Sequence, residues 1–576
     1  MRRLEAGVVA PTRNVSPTGA AVSLEAHFRR FSPNGANPEH ICTFFQRATK
    51  YNEEDYAAMT PDLPPAPPET QPATMLVAQA PTAEPIAVDS HGYHYAIAGN
   101  KLLAPAVIVA IVEAADTPQK AVDALRLAYQ RAGYPLVALR GEVNNKLVAI
   151  QVINGRITEF DVTPPSLAPF FSGLEGRDDI DRNTLIRRGA LAEFYAAREG
   201  MRPSVNFAPA AEVGGTKLIA TAQPIEGASP WNANLSFGNF GSRYSSRYLW
   251  QAAGAVRPGG GLELTANYGQ GIPGLTSDSS GSTYKTAALG GSLVTPWGFY
   301  GLSLNKVSYA YGERVSQLAP VGEITFGSIT GTQLVFADEV SRWTVNQGFT
   351  HTDNEIDVFE GTFRLTDQHY DFITLGTSFN TSFAVLGQNA SATVTASVSR
   401  GLSQRKGTFL PDDIGVANPR FTQVVGSVNY QQSLPLGASV ALAISGQWAD
   451  TILPQNQQWV VGGFGNLTAW LPAILVGDSG MLLRATAQSP PWQWKGVSVT
   501  GNAFVEAGLV NTYYTPAGSP ANRAASDAGL SVSGSLRGGT SATLAYAWPL
   551  AARNVELSTL NSAGRANLYF TLSQSF

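Results

Sequence analysis

Ala392-Thr393-Val394-Thr395-Ala396-Ser397-Val398-Ser399 decides the fold. Apolar residues alternate strictly with small hydroxyl-bearing ones, the two-residue period of a β-strand whose faces meet different media. The second face carries Thr and Ser rather than Lys or Glu, so it is wettable without being charged. The same parity recurs elsewhere. Leu262, Leu264, Ala266 and Tyr268 interleave with Glu263, Thr265 and Asn267, and Val440, Leu442 and Ile444 repeat the pattern. Leu568, Phe570, Leu572 and Phe576 close the chain in the same phase. From Trp231 onward no helical periodicity survives.

Composition says which medium the apolar face meets. Only 14% of the 576 residues are charged, where soluble proteins average about 25%. Mean hydropathy is nevertheless −0.04, and no run approaches the ~18 apolar residues of a membrane-spanning helix. A net charge of −4 argues against a nucleic-acid partner. Fifty-seven Gly and 36 Pro argue against an all-helical chain. A transmembrane β-barrel fits these facts. Residues 231–576 divided among about 16 strands give roughly 22 residues each, a strand of about ten plus its connection. A soluble β-sandwich or solenoid is the alternative, but its outward face would carry more charge. Aromatic residues at strand ends suit interfacial girdles.

The part before Trp231 reads differently. Residues 1–88 form a leader with a Pro-rich linker, Pro61-Asp62-Leu63-Pro64-Pro65-Ala66-Pro67-Pro68, and with one short helical pattern over 38–59 capped by Asn37 and Pro38. No secretory signal is legible there, and Leu4–Ala10 is interrupted and followed by Pro11. Residues 89–158 read as a β-α-α-β-β unit. It has a strand at Tyr93–Ile97, a helix over 104–115 and a second helix started by Thr117 and Pro118, then strands Leu136–Leu139 and Leu147–Ile153. Residues 159–228 repeat the theme with Phe160–Val162, a helix over Asn183–Ala197, and strands Ser204–Phe207 and Lys217–Ala222. The barrel takes 229–576.

Motifs that carry chemistry are missing. There is no GxSxG, HExxH, Cys-x-x-Cys or phosphate loop. One cysteine, Cys42, excludes an internal disulfide. His91 and His94 are neighbours without a third ligand. Asp412-Asp413 and Asp278 read as solvated turns, and acids in general are expected in loops. No catalytic residue, metal or cofactor is expected.

In this order and spacing, several fragments resemble the two-partner secretion outer-membrane transporters, the hemolysin secretion/activation family. Ile97-Ala98-Gly99-Asn100, Ala128–Tyr134 and Val152–Ile157 look like a ShlB-type POTRA module, and Phe237-Gly238-Asn239-Phe240-Gly241-Ser242 looks like the family's first barrel hairpin. The resemblance covers roughly 90–576. It implies two periplasmic POTRA modules followed by an outer-membrane barrel of about 16 antiparallel strands, with 38–59 as a plug helix or simply disordered.

It also implies a long loop folded back into the barrel, where a Gly-Gly and a Val-Arg-Gly-Tyr motif place an arginine against an acid of the wall. Gly462-Gly463 and Gly477-Asp478-Ser479-Gly480 match, but Leu467-Thr468-Ala469-Trp470 stands in place of the arginine motif. Thr468 has no guanidinium to hold a carboxylate, and Arg484 is the nearest arginine. Glu506, in Phe504-Val505-Glu506-Ala507-Gly508, takes the place of the wall acid.

The function so implied is export of an unfolded partner protein with a two-partner-secretion domain. That partner would be captured on POTRA sheet edges and helices, with Tyr129, Tyr134, Val205 and Phe207 as candidate contacts. Phe570, Leu572 and Phe576 form the C-terminal signal for the outer-membrane assembly machinery, and the bilayer is the remaining partner. Two rivals are a barrel-assembly factor and a passive pore with periplasmic domains. The missing loop arginine favours the latter.

Overall fold

The computed structural model describes residues 85–576 except 213, 243–244, 273–274, 276–281, 313–319, 360, 407–416, 516–518 and 556–567. The helical pattern at 38–59, the Pro-rich linker, Cys42, Asp278 and Asp412-Asp413 lie outside these residues.

The first α/β unit is built from β1 (Ile86–Ser90), β2 (Tyr93–Ala98), α1 (Pro105–Glu113), α2 (Pro118–Arg131), β3 (Ala138–Asn144) and β4 (Leu147–Ile153). Its sheet runs β1-β2-β4-β3, with the central pair β2 and β4 parallel. β1 is one strand more than the sequence pattern predicts. Its five residues are too few for alternation to stand out beside the adjoining leader. Thr117 caps α2 as expected, its Oγ1 accepting from Lys120 N at 3.3 Å. Tyr95, Ile97, Ile108, Val112, Leu125, Val148 and Ile150 make the core.

The second unit contains β5 (Arg156–Thr163), α3 (Ala168–Phe171), α4 (Arg182–Arg198), β6 (Met201–Pro209) and β7 (Gly215–Pro224). The sheet order is β5-β7-β6, so β6 is bonded on one side only. Asp181 caps α4 by accepting from Thr184 N at 2.8 Å. Leu185, Leu191, Ala192 and Ala196 of α4 pack on Ile157, Phe207, Leu218 and Ala220 of the sheet.

Beyond Trp231 the chain forms a closed antiparallel barrel. Ser479–Gln488 and Trp492–Trp494 both pair with Val497–Asn511. They are one strand broken by Pro490-Pro491, which cannot donate to a ladder, and so the barrel has sixteen strands. Strand length varies more than an even division suggests, from 8 residues (Trp231–Gly238) to 23 (Phe363–Val385).

Leu304, Ile329, Leu375, Val398, Val428, Leu530 and Leu572 are exposed on the outer face, which is the lipid-facing parity. Hydroxyls face inward and pair across strands, as in Thr374–Ser399 at 2.8 Å and Thr395–Ser427 at 2.7 Å. The first and last strands close the cylinder over Asn234↔Ser575 to Gly238↔Thr571. Where the ladder ends, the Asn239 side chain imitates a peptide. Its Nδ2 donates to Leu568 O at 2.8 Å and its Oδ1 accepts from Phe570 N at 2.7 Å.

The two ends of the barrel differ. At one, connections are as short as Pro296-Trp297, Leu386-Gly387 and Lys495-Gly496. At the other they run up to residues 450–478. The second unit docks at the short-turn end through α4. Arg198 Nη1 donates to Gly261 O and Ser292 O, both at 2.7 Å, and Nη2 donates to Ser292 Oγ at 2.8 Å. Glu199 accepts from Gly261 N at 2.8 Å. Asn183 accepts from Ala337 N at 2.9 Å, Arg182 pairs with Glu339, and Phe194 meets Phe299 edge-on at 5.0 Å.

The charge of the wall is not confined to loops, contrary to the sequence expectation. Glu263, Asp353, Glu355, Asp357, Asp367, Asp371, Glu506 and Asp527 all lie within strands. A sparsely charged wall keeps acids where a partner holds them, as Arg257 Nε holds the buried Glu263 at 2.8 Å.

Candidate functional site: a loop held inside the barrel

Residues 450–478 leave the long-loop end and fold back against the inner wall. Trp459–Val461 and Leu475–Gly477 pair as a short antiparallel ladder, and both segments are buried. Trp459, Val461, Leu467, Ala469, Trp470 and Leu475 pack on Phe504, Val510, Ala525 and Ala547 of the wall. This apolar cluster, one of several on the inner wall, holds the loop down.

The tip depends on two glycines with different tasks. Gly462 adopts φ +123°, and a Cβ there would lie 2.4 Å from Leu471 O, so no side chain is tolerated. Gly508 is on the wall, where a Cβ would lie 2.6 Å from Val461 Cγ1; it makes room for the loop. Gly463 N donates to Trp470 O at 3.1 Å and closes the turn.

Three polar residues of the wall stand at one level on adjacent strands, in register Arg484↔Glu506 and Glu506↔Asp527. Glu506 and Asp527 are both fully buried. Glu506 Oε1 accepts from Arg484 Nη1 at 2.9 Å, while Oε2 accepts the backbone N–H of Thr468 at 2.6 Å. Asp527 Oδ2 accepts the backbone N–H of Ala469 at 2.7 Å. Trp470 Nε1 donates to Ser526 O at 3.2 Å, and the Arg484 guanidinium lies over the Phe504 ring, 4.8 Å from its centroid.

The absence of an arginine at position 468 is therefore made good from the other side. The wall supplies the guanidinium, the loop supplies two main-chain donors, and the Thr468 hydroxyl turns inward to accept from Gly465 N at 3.1 Å. Each buried acid thus receives one main-chain N–H from the loop.

The loop is also tied at its base. Asp478, fully buried, accepts from Leu453 N at 2.9 Å and Gln458 Nε2 at 3.2 Å through Oδ1, and from Tyr513 N at 2.7 Å through Oδ2. Gly480 lies against the Trp459 ring, where a Cβ would come within 2.2 Å. Gly462, Gly463, Thr468, Trp470 and Glu506 thus meet at the loop tip, and Asp478 and Gly480 at its base. Asp527 is the member that sequence reading missed. Its signal was a lone acid within Ala524-Ala525-Ser526-Asp527-Ala528-Gly529, in the inward phase of an otherwise uncharged strand.

The other sequence candidates are placed elsewhere. Tyr129 is buried, its hydroxyl donating to Asn100 Oδ1 at 2.6 Å, and burial pushes its phenol up to about 12. Its ring belongs to the core of the first unit and is not on a surface. Tyr134 packs against the same core, and Val205 and Phe207 face the core of the second unit. The outward phase of β6 carries Arg202, Ser204 and Asn206. His94 pairs with Asp89 at 2.6 Å and His91 with Ser90 at 2.9 Å, so the two histidines do not converge. Phe570, Leu572 and Phe576 share the outer parity of the last strand, with Phe570 against Phe237 at 5.5 Å.

A sixteen-strand barrel with a lipid-facing exterior, an inward-folded loop and α/β units at its short-turn end defines an outer-membrane transport barrel. The chain belongs to the haemolysin secretion/activation protein family ShlB/FhaC/HecB, whose model matches residues 214–533. It is thus an outer-membrane β-barrel of a two-partner secretion family that transports protein, a family of transporters and not of enzymes.

Among solved structures it is similar to CdiB from Escherichia coli, with TM-score 0.69 and 15% identity over 94% of this chain and 99% of that one. It is also similar to CdiB from Acinetobacter baumannii, with TM-score 0.66 and 14% identity over 97% of this chain and 99% of that one. These likenesses show the fold, α/β region included. No curated protein sequence matches.

Proposed function

We propose that this protein captures an unfolded partner, one carrying a two-partner-secretion domain, on two periplasmic POTRA modules at 89–158 and 159–228. It then passes that partner through the barrel of 229–576. The observation that carries this reading is the placement of the open-edged β6 beside the short-turn end, with the loop at 450–478 occupying the lumen as a removable obstruction.

Outer-membrane barrels keep short turns in the periplasm and long loops outside, which supports a periplasmic position for the α/β units docked at the short-turn end. An edge strand accepts an extended chain by main-chain hydrogen bonds, without demanding one sequence. Side-chain reading at β6 then falls to Arg202, Ser204 and Asn206 rather than to Val205 and Phe207. The lumen wall offers hydroxyls and amides along which a chain slides, and acids of the wall such as Glu263 and Glu506 are already held by arginines. Phe570, Leu572 and Phe576 serve as the signal that the outer-membrane assembly machinery reads.

The test is deletion of 90–228 in a chain whose barrel still assembles, assayed by secretion of the partner encoded beside it. Loss of secretion is expected. Undiminished secretion overturns capture on these modules.

A further inference from the structure

Charged residues reappear on the outer face where the strands Ser341–Val358 and Phe363–Val385 rise above the lipid-facing band. Phe349 and Ile373 pair across the two strands and are both exposed, and the next outward pair is His351↔Asp371. Above it come Asp353↔His369 and Glu355↔Asp367, then Asp357↔Arg364. On the neighbouring strand Glu323 stands opposite Glu355 and pairs with Lys306 at 2.5 Å. Above Phe349 and Ile373 on these two strands, Arg364 is the one guanidinium among the described side chains. It serves Glu355 Oε2 at 2.8 Å, Asp357, and Asp367 at 3.7 Å. Carboxylates outnumber it.

His369 shows where the excess converges. Its Nδ1 faces Asp353 Oδ1, and its Nε2 faces Asp367 Oδ1 at 2.8 Å and Glu355 Oε1 at 3.9 Å. A neutral imidazole has one N–H, so it cannot donate to acids on both nitrogens. With the proton on Nδ1 toward Asp353, the Nε2 lone pair is left facing two carboxylate oxygens, a repulsive arrangement unless a cation lies between them. One acid orients the ring through Nδ1–H while Nε2 and further oxygens remain for a metal, which is the carboxylate–histidine–metal pattern. Ligand atoms of Glu355, Asp367 and His369 all lie within 4.8 Å of one another. Bonds of about 2.0–2.1 Å to zinc imply ligand–ligand edges of roughly 3.3 Å in a tetrahedron, and the 2.8 and 3.9 Å separations straddle that length.

We infer that Glu355, Asp367 and His369 form a site for a divalent transition-metal ion of the zinc class on the outer face of the barrel at its long-loop end, with Asp353 as the positioning residue. One nitrogen and two oxygens suit zinc or cobalt better than calcium or magnesium, which take oxygen. The part-exposed side chains leave the fourth position to water. The ion ties the upper ends of two neighbouring strands and neutralises a ladder that one guanidinium cannot.

The experiment uses the full chain in detergent, without a polyhistidine tag and stripped with EDTA. It is titrated at pH 7.5 with Zn2+ by calorimetry and with Co2+ by visible absorption. One saturable equivalent is expected, with cobalt d–d bands. His369→Ala and the isosteric double variant Glu355→Gln/Asp367→Asn should abolish it, and Asp353→Asn should weaken it roughly 10–100-fold, as loss of an orienting partner does. His91→Ala/His94→Ala should leave it unchanged. Heat-modifiable mobility on electrophoresis reports that each barrel is folded. Absence of saturable binding by the unmodified chain overturns the site and leaves His369 an imidazolium held by two acids. Binding undiminished in both the His369 and the Glu355/Asp367 variants overturns it equally.

Discussion

Glu506 and Asp527 have given up water completely, and each recovers part of its solvation from one main-chain N–H of the loop. Because the donors are backbone, the side chains at 468 and 469 matter little to the attachment. Thr468→Ala loses only the bond from Gly465 N and should cost about 0.5–1.5 kcal/mol. Protease nicking of residues 450–478 should barely change. Arg484→Ala removes the guanidinium from a fully buried acid, and a hydrogen bond to a charged group is worth about 1.5–3 kcal/mol. That variant should expose the loop to protease at least tenfold faster, and a rate equal to that of Thr468→Ala would refute the assignment of Arg484 to loop attachment. Asp478→Ala unties three donors at the loop base and should act in the same direction.

At the scale of elements, α4 joins the second unit to the barrel, and Arg198 is its chief anchor. Arg198→Ala should leave both parts folded while hydrogen exchange at α4 rises. Glu193, on the same helix, has its carboxyl raised above the usual range by burial, with Arg342 and Arg202 nearby acting to lower it. An acid whose folded value is raised stabilises the folded form most below its ordinary value and loses that contribution as pH climbs through the raised one. Protection of α4 should therefore fall as pH rises from acid toward neutral, and Glu193→Gln should flatten the profile. A profile unchanged by the substitution would assign the dependence to another group.

α2 was legible from its cap and apolar spacing, α4 from apolar spacing, and the barrel strands from alternation, because these signals are local. β1 is too short to alternate visibly. Asp527, Arg484 and the Asp353–His369 ladder are partners only through strand register, which no local pattern records. Tyr129 was misplaced for a related reason, since an aromatic residue at the end of an amphipathic helix looks the same whether its ring faces core or solvent.

The molecule is a cylinder with part of its own chain folded into its bore. The unmodified protein should conduct poorly in a planar bilayer, and replacing 450–478 by a short turn should open a large, steady conductance. Equal conductance in the two would mean the loop leaves the bore at rest. Opening on addition of an unfolded partner, reversed on its removal, is the behaviour expected of a transporter whose obstruction is held by a few hydrogen bonds and an apolar cluster.

The loop attachment has a bearing on descent. A contact made by peptide N–H groups is invisible to substitution, so positions 468 and 469 can drift without selection noticing. Changes at 484, 506 and 527 are felt at once. Among relatives lacking the loop arginine, variation should gather at the tip, and a basic residue facing an acidic one should persist on the wall. Lineages are then better recognised by their cylinders than by the segment those cylinders enclose.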